Sequence, residues 1–280
     1  MSALPHSAAE RQYDFSEHDF DRVRSLIHGR AGISLGEHKR EMVYGRLSRR
    51  LRALGLTRFS DYLALLEADV RADEWETFVN ALTTNLTAFY REAHHFPELA
   101  KFVAKRADPV SVWCCAASTG EEPYSIAMTL RESLGARSEH ATVWATDIDT
   151  QVLERARTAV YPYERVSRLT DAQRERHFLK GRGAQLGRVR VKPEVANMVV
   201  FDTLNLLAPQ WDIAGKFDVI FCRNVMIYFD KPTQSKILKR FVPLLKPGGL
   251  LFAGHSENFT YISSEFRLRG QTIYEVQGGA

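Results

Sequence analysis

Five short strings put polar or acidic residues where an apolar run meets a loop. The first apolar run, Val110 to Cys115, leads into Ala116-Ala117-Ser118-Thr119-Gly120-Glu121-Glu122. Its small residues allow a ligand close to the backbone, and Gly120 can turn the chain into a following helix. This is not the triple-glycine pattern of dinucleotide sites. Two acids beside one glycine repel a phosphate-bearing cofactor. A cofactor with a cationic end suits Glu121 or Glu122, which spacing alone does not separate. Alternatively, both are first-turn acids favoured by the helix dipole. The second run, Thr142 to Thr146, ends at Asp147-Ile148-Asp149. An acid after a second strand can accept hydrogen bonds from two ribose hydroxyls. Asp147 is equally readable as a helix cap, unless Asp149 takes that role.

Asn205-Leu206-Leu207 follows the third run, Met198 to Phe201. It reads either as backbone groups facing an adenine edge or as a plain loop with an apolar plug. The fourth run, Phe217 to Cys222, ends in Arg223-Asn224 and reaches Tyr228. Arginine and asparagine are costly to bury unpaired, which favours a polar site there. The fifth string, Asn85 to Glu92, precedes the first strand. Asn85, Thr87 and Arg91 can line one side of a turn, and Arg91 offers a planar donor fork suited to a carboxylate. His94 and His95 are adjacent and are expected to diverge on a helix. With no CxxC either, no metal site is expected.

These strings need a scaffold that collects strand ends. After Val110, short apolar runs alternate with amphipathic stretches, which predicts an open, mostly parallel α/β sheet. Phe178 to Val195 breaks the alternation with Gly181, Gly183 and Gly187 and then Val189-Arg190-Val191-Lys192, so a small antiparallel insert is expected there. Phe266 to Val276 predicts a terminal hairpin around Gly270. Before the sheet, apolar residues recur at helical spacing, giving four helices up to about Leu82. The division expected is a helical domain over 1–75, a linker over 76–90, and an α/β domain over 91–280 with the insert at about 176–197.

The chain has 280 residues, 45% of them apolar, which permits a sizeable core. Met1 to Phe20 has no apolar stretch typical of a secretory leader, and no run is long enough for a membrane span. Cys114, Cys115 and Cys222 are odd in number and lie in apolar runs, so they read as buried thiols of a reducing cytoplasm. The net charge of +4 is uneven. Lys39 to Arg58 is strongly basic, and Arg46, Arg49 and Arg52 recur every three residues as a candidate cationic stripe.

In combination the strings closely resemble the signature of the CheR chemotaxis receptor methyltransferases. The resemblance rests on Thr83 to Phe96, Ala117 to Ser125, Ala145 to Asp149, Cys222 to Asp230, Lys246-Pro247-Gly248-Gly249 and Gly254-His255-Ser256-Glu257-Asn258, in the family's order. It covers nearly the whole chain; Tyr90 and Cys115 are small departures. It implies an all-α N-terminal domain and a Rossmann-like class I methyltransferase sheet carrying the insert. It implies S-adenosylmethionine contacts at Asn85, Thr87, Arg91, Glu122, Asp147, Asn205, Leu206, Cys222, Arg223 and Asn224, and it favours Glu122 over Glu121. The insert is similar to one that docks a receptor's C-terminal peptide, with Gly181, Gly187 and Arg190 matching; the other reading is a plain hairpin.

The implied reaction is methylation of receptor glutamates. Glutamate, with a reference pKa of about 4.3, is already ionised at neutral pH and needs no general base. Proximity and alignment, worth up to about 7–11 kcal/mol in well-oriented systems, are then the protein's main contribution. Arg91 and Tyr228 are the candidates for orienting the reacting groups. The arginine stripe is expected to steer glutamate-rich receptor helices. Two rival functions are an RNA methyltransferase and a non-catalytic adenosylmethionine-binding adaptor. A basic-aromatic interleaving suited to base stacking is absent from Lys39 to Arg58, so no nucleic-acid partner is expected. A cytoplasmic monomer without membrane insertion, inhibited by the product S-adenosylhomocysteine, completes the expectation.

Overall fold

The structure is a computed structural model that describes residues 12–68, 73–107 and 109–277. Residues 1–11, part of the segment read above as lacking a leader, lie outside the described residues. The chain divides into two compact units at Thr83–Thr84.

The first unit holds α1 (Glu17–Ala31), α2 (Arg40–Leu54), α3 (Phe59–Ala68) and α4 (Asp73–Leu82). Ser16 caps α1 through a reciprocal box with Asp19, a pairing that satisfies otherwise unpaired N–H groups. Phe20, Val23 and Ile27 of α1 bury with Val43, Leu47 and Leu51 of α2, spaced for one face of each helix. Trp75 and Phe78 of α4 complete that core. Arg50 of α2 pairs with Glu74, which also accepts from the Tyr62 hydroxyl at 2.7 Å.

The second unit begins with α5 (His95–Val103), β1 (Ser111–Cys114), α6 (Glu121–Leu134), β2 (Thr142–Asp147) and α7 (Thr150–Thr158). Then come β3 (Val160–Pro162), α8 (Asp171–His177), β4 (Phe178–Lys180), β5 (Arg188–Val191) and α9 (Pro193–Ala196). It closes with β6 (Val199–Thr203), β7 (Phe217–Cys222), α10 (Lys231–Phe241), β8 (Leu245–Ala253), β9 (Phe266–Gly270) and β10 (Ile273–Val276). The main sheet runs β6-β2-β1-β7-β8-β10-β9. In this sheet β10 pairs antiparallel with both β8 and β9, and β9 with β10 forms the expected terminal hairpin. Strand order reverses direction between β1 and β7, so ligands are expected outside the carboxyl ends of those strands.

Alternate residues face opposite layers. Val112, Cys114, Val219, Phe221 and Phe252 enter one core, and Trp113, Cys115, Ile220, Cys222 and Leu251 enter the other. Every residue of β7 is buried, as a central parallel strand requires. All three cysteines are buried free thiols.

The small sheet, β3-β5-β4, is antiparallel and lies wholly within the crossover from β2 to β6. It starts earlier in the chain than the expected insert, because Val160–Pro162 supplies one edge strand. Three residues ending in proline carry no alternation signal. β8 likewise starts at Leu245, ahead of the apolar run Leu250 to Ala253. The pairing of β7 with β8 skips from Phe217↔Leu245 to Val219↔Leu250, a shift that accommodates Pro247, which has no N–H to donate.

Candidate functional site

Loops from the carboxyl ends of β1, β2, β6, β7 and β8 assemble around buried carboxylates. At β2, Asp147 accepts from Ser118 N–H at 2.8 Å and from Asp149 N–H at 3.0 Å. Asp149, not Asp147, caps α7, accepting from Gln151 and Val152 N–H. Asn85 reaches Asp149 Oδ2 from its side-chain amide at 2.8 Å, and the Asn85 carbonyl accepts from Ser118 Oγ at 3.4 Å. The 84–92 segment is thereby fastened to the ends of β1 and β2. Burial pushes the Asp147 carboxyl up to about 6, against the pull of the two N–H groups.

The two glutamates at the start of α6 have different partners. Glu121, 1% exposed, pairs with Arg165, whose Nε is 2.9 Å away, and accepts from Thr119 Oγ1 at 2.6 Å. Arg165 also donates to the Thr87 carbonyl at 2.9 Å. Glu122 pairs through Oε2 with Arg223, and its Oε1 meets only the weakly donating Cys114 thiol at 3.4 Å. Glu122 therefore has acceptor capacity left, as a cationic ligand requires.

Arg223, 4% exposed, stands between two carboxylates, since Glu92 Oε2 lies 3.2 Å from its Nη2. It also donates to the Arg91 carbonyl at 2.5 Å. Burial works against the guanidinium charge, and Glu122 and Glu92 outweigh it. Glu92 accepts from His255 Nδ1 at 2.9 Å and Asn224 Nδ2 at 3.2 Å. Burial would raise the Glu92 carboxyl, but His255, Arg223 and Asn224 together hold it down at about 2.

His94 and His95 do not diverge; their ring centroids are 4.2 Å apart, because His94 precedes α5 rather than lying within it. Their ligand atoms and a Glu92 oxygen fall within 4.8 Å of one another. A dication there would meet the Arg223 guanidinium, so the cluster reads as part of an ion-pair network. His95 is buried, its Nε2 lies 2.9 Å from the Gln271 carbonyl, and burial lowers its pKa to about 4.

Other expected residues contribute differently. Asn205 Oδ1 accepts from Leu207 N–H at 2.8 Å, tightening the loop after β6, and Leu204 N–H donates to the Asp147 carbonyl at 3.0 Å. The Leu206 and Cys222 side chains are buried in the core, so only their backbone groups can serve the rim. Arg91 is half-buried and donates to the Leu86 carbonyl at 2.7 Å. Tyr228 is half-buried on a single 3-10 turn, Met226–Tyr228. In the helical unit, Arg46 is engaged with the Ala81 and Thr83 carbonyls, while Arg49 and Arg52 are exposed. Gly181 and Gly187 flank the turn between β4 and β5, and Arg190 is exposed on β5. A Cβ on Gly181 would lie 1.9 Å from the Gln185 carbonyl oxygen, so only glycine fits beneath that turn. Glu92, Arg165 and Glu257 were not singled out as site residues from sequence. Glu92 and Glu257 did stand inside quoted motifs, next to Arg91 and four residues past Ala253.

The comparisons with known proteins agree with this geometry. Residues 85–275 match the family described as "CheR methyltransferase, SAM binding domain". Residues 18–83 match "CheR methyltransferase, all-alpha domain". The chain is 61% identical over 273 residues to a chemotaxis protein methyltransferase of Klebsiella aerogenes, covering 98% of this chain and 93% of the relative. It is 59% identical to one of Escherichia coli, covering 93% and 91%, and 51% identical to chemotaxis protein methyltransferase 2 of Pseudomonas aeruginosa, covering 94% and 95%.

Proposed function

The chain belongs to the CheR methyltransferase family, and from that premise we propose that it methylates glutamate side chains of chemotaxis receptors, leaving glutamate methyl esters and S-adenosylhomocysteine. The carrying observation is a strand-end rim built on carboxylates, Glu122 and Asp147, rather than on a glycine-rich phosphate loop. Such a rim suits a nucleoside with a cationic amino-acid tail. S-adenosylmethionine, the methyl donor of the family, supplies an electrophilic methyl carbon on a sulfonium.

Both oxygens of Asp147 keep lone pairs beyond their backbone bonds, so this carboxylate can take two ribose hydroxyls. Glu122 Oε1 can take the ammonium, with Arg223 fixing the other oxygen. Backbone groups of Asn205 and Leu206 serve the adenine. Asn85 and Thr87 line the opposite side, and Cys222, Arg223 and Asn224 form the turn nearest the amino-acid portion. Arg91 and Tyr228 orient the incoming carboxylate, which attacks without a base because it is already ionised.

Arg49 and Arg52, with Arg46 at the end of their stripe, steer acidic receptor helices toward the enzyme. A receptor tail peptide adds a strand to an edge of the small sheet, with Arg190 meeting its carboxylate and Gly181 and Gly187 shaping the edge. Among the described residues no helix is long and apolar enough to cross a membrane. The reading places the enzyme in the cytoplasm as a monomer.

The test is transfer of labelled methyl from S-adenosylmethionine to receptor, followed by mild base. Carboxyl esters release labelled methanol. Label that stays bound after base, or that enters RNA, rejects the glutamate assignment. Uptake of cofactor without any transfer supports the adaptor reading instead.

A further inference from the structure

We propose that Glu257 is a positioning residue that holds the turn after β7 in its cofactor-receiving shape; this rests on reading that turn as a cofactor contact. Glu257 is 4% exposed and belongs to the loop after β8, the neighbouring strand. Its Oε2 accepts from the N–H groups of Asn224 at 2.9 Å and Gly254 at 2.6 Å, and its Oε1 accepts from Met226 N–H at 2.8 Å. Three backbone donors from two loops thus converge on one carboxylate. Asn224 has φ 57°, a left-handed conformation that asparagine tolerates better than most L-residues and that still needs partners to be held uniquely. The convergence supplies them here.

Gly254 completes the device. A Cβ at that position would lie 2.3 Å from Asn224 Nδ2, 2.9 Å from Asn224 N and 2.9 Å from Glu257 Oε2. The chain leaving β8 therefore passes directly behind the turn, and only glycine permits it. With its backbone held, Asn224 reaches Glu92 with its side-chain amide, and its neighbour Arg223 reaches Glu122 and Glu92. The Glu257 carboxylate accepts from backbone N–H groups of the turn and of its own loop. It acts through Asn224. Burial raises its carboxyl, and the backbone N–H groups oppose that rise, so an apolar residue would be the better choice were packing the only need.

Glu257→Gln keeps the shape but puts an amide nitrogen where an oxygen accepted, leaving at least one backbone N–H unpaired. Calorimetry with S-adenosylhomocysteine, well below the unfolding temperature, should show affinity weakened about tenfold or more, the range expected for one lost buried hydrogen bond. Gly254→Ala presses on the same turn without removing the carboxylate and should weaken affinity in the same direction. Wild-type affinity in both folded variants, while Asn224→Ala binds more weakly, overturns the proposal. If Glu257→Gln does not fold, Gly254→Ala decides by the same criterion. Asn224→Ala is measured alongside. If it too binds as wild type, the turn is not a cofactor contact, and amide exchange at Asn224 and Met226 then decides on Glu257 alone. Faster exchange in Glu257→Gln supports the hold, and unchanged exchange overturns it.

Discussion

At Asp147, stability and the proposed cofactor contact pull in opposite directions. Burial lifts its carboxyl from an ordinary 3.8 to about 6. The folded chain therefore binds this proton more tightly than the unfolded chain. Stability from the group is fully present below about pH 4 and is lost as pH rises through about 6. At about 1.4 kcal/mol per pH unit, the gap corresponds to about 3 kcal/mol. Asp147→Asn removes the titration. The amide cannot accept from both Ser118 and Asp149, which costs about 1–3 kcal/mol at every pH. Absolute stability of the variant is therefore uninformative, and the pH dependence is the signal. Urea unfolding of both proteins across that window gives the difference, wild type minus variant, in which groups titrating elsewhere cancel. The difference should fall by about 3 kcal/mol from the acid to the neutral end. A flat difference refutes the burial reasoning. Repeating the series with saturating S-adenosylhomocysteine should move the fall to lower pH, because ribose hydroxyls donating to the carboxylate favour its ionised form. An unmoved fall would reject the ribose contact while leaving the burial argument standing.

Replacing Arg223 with Met strands Glu122 as a buried charge and takes one partner from half-buried Glu92, and equilibrium unfolding should register a loss of about 3–5 kcal/mol; a loss below about 1 kcal/mol would mean the guanidinium is not what balances Glu122. Burial pushes the Cys114 and Cys115 thiols well up, so an aromatic disulfide reagent should modify them only in denaturant, and rapid native-state labelling would contradict their burial. Arg49→Glu with Arg52→Glu should raise KM for receptor without changing kcat and flatten its salt dependence; unchanged KM removes the stripe from docking. Gly181→Ala should abolish tail-peptide binding in a pull-down while S-adenosylhomocysteine affinity holds; retained peptide binding would mean the edge tolerates the intrusion at Gln185.

Strand ends were readable where a charged residue follows the apolar run, as Asp147 follows Thr142–Thr146 and Arg223 follows Phe217–Cys222. Helical spacing likewise revealed the faces of α1 and α2. The division of labour between Asp147 and Asp149 was open in the sequence, because both stand before α7. Coordinates separate them by which N–H groups each accepts. The pairings that order the rim were not readable at all. Arg223 meets Glu92 and Glu122, and His255 meets Glu92, across a hundred or more intervening residues for each pair. No local pattern encodes such a meeting. Arg46 shows the same limit: its spacing fits an exposed stripe, and nothing local foretells that the Ala81 and Thr83 carbonyls engage it.

The small sheet is confined to one crossover and by topology alone is removable. Electrostatics forbids a clean excision. Arg165, in the turn after β3, is the cation beside Glu121, and the Tyr161 hydroxyl from β3 donates to the Thr119 carbonyl at 2.7 Å. Cutting the insert away would leave an almost fully sequestered anion at the head of α6, one residue from Glu122. The appendage is wired into the head of α6, so a chain that lost it would need a replacement cation or a neutral residue at 121.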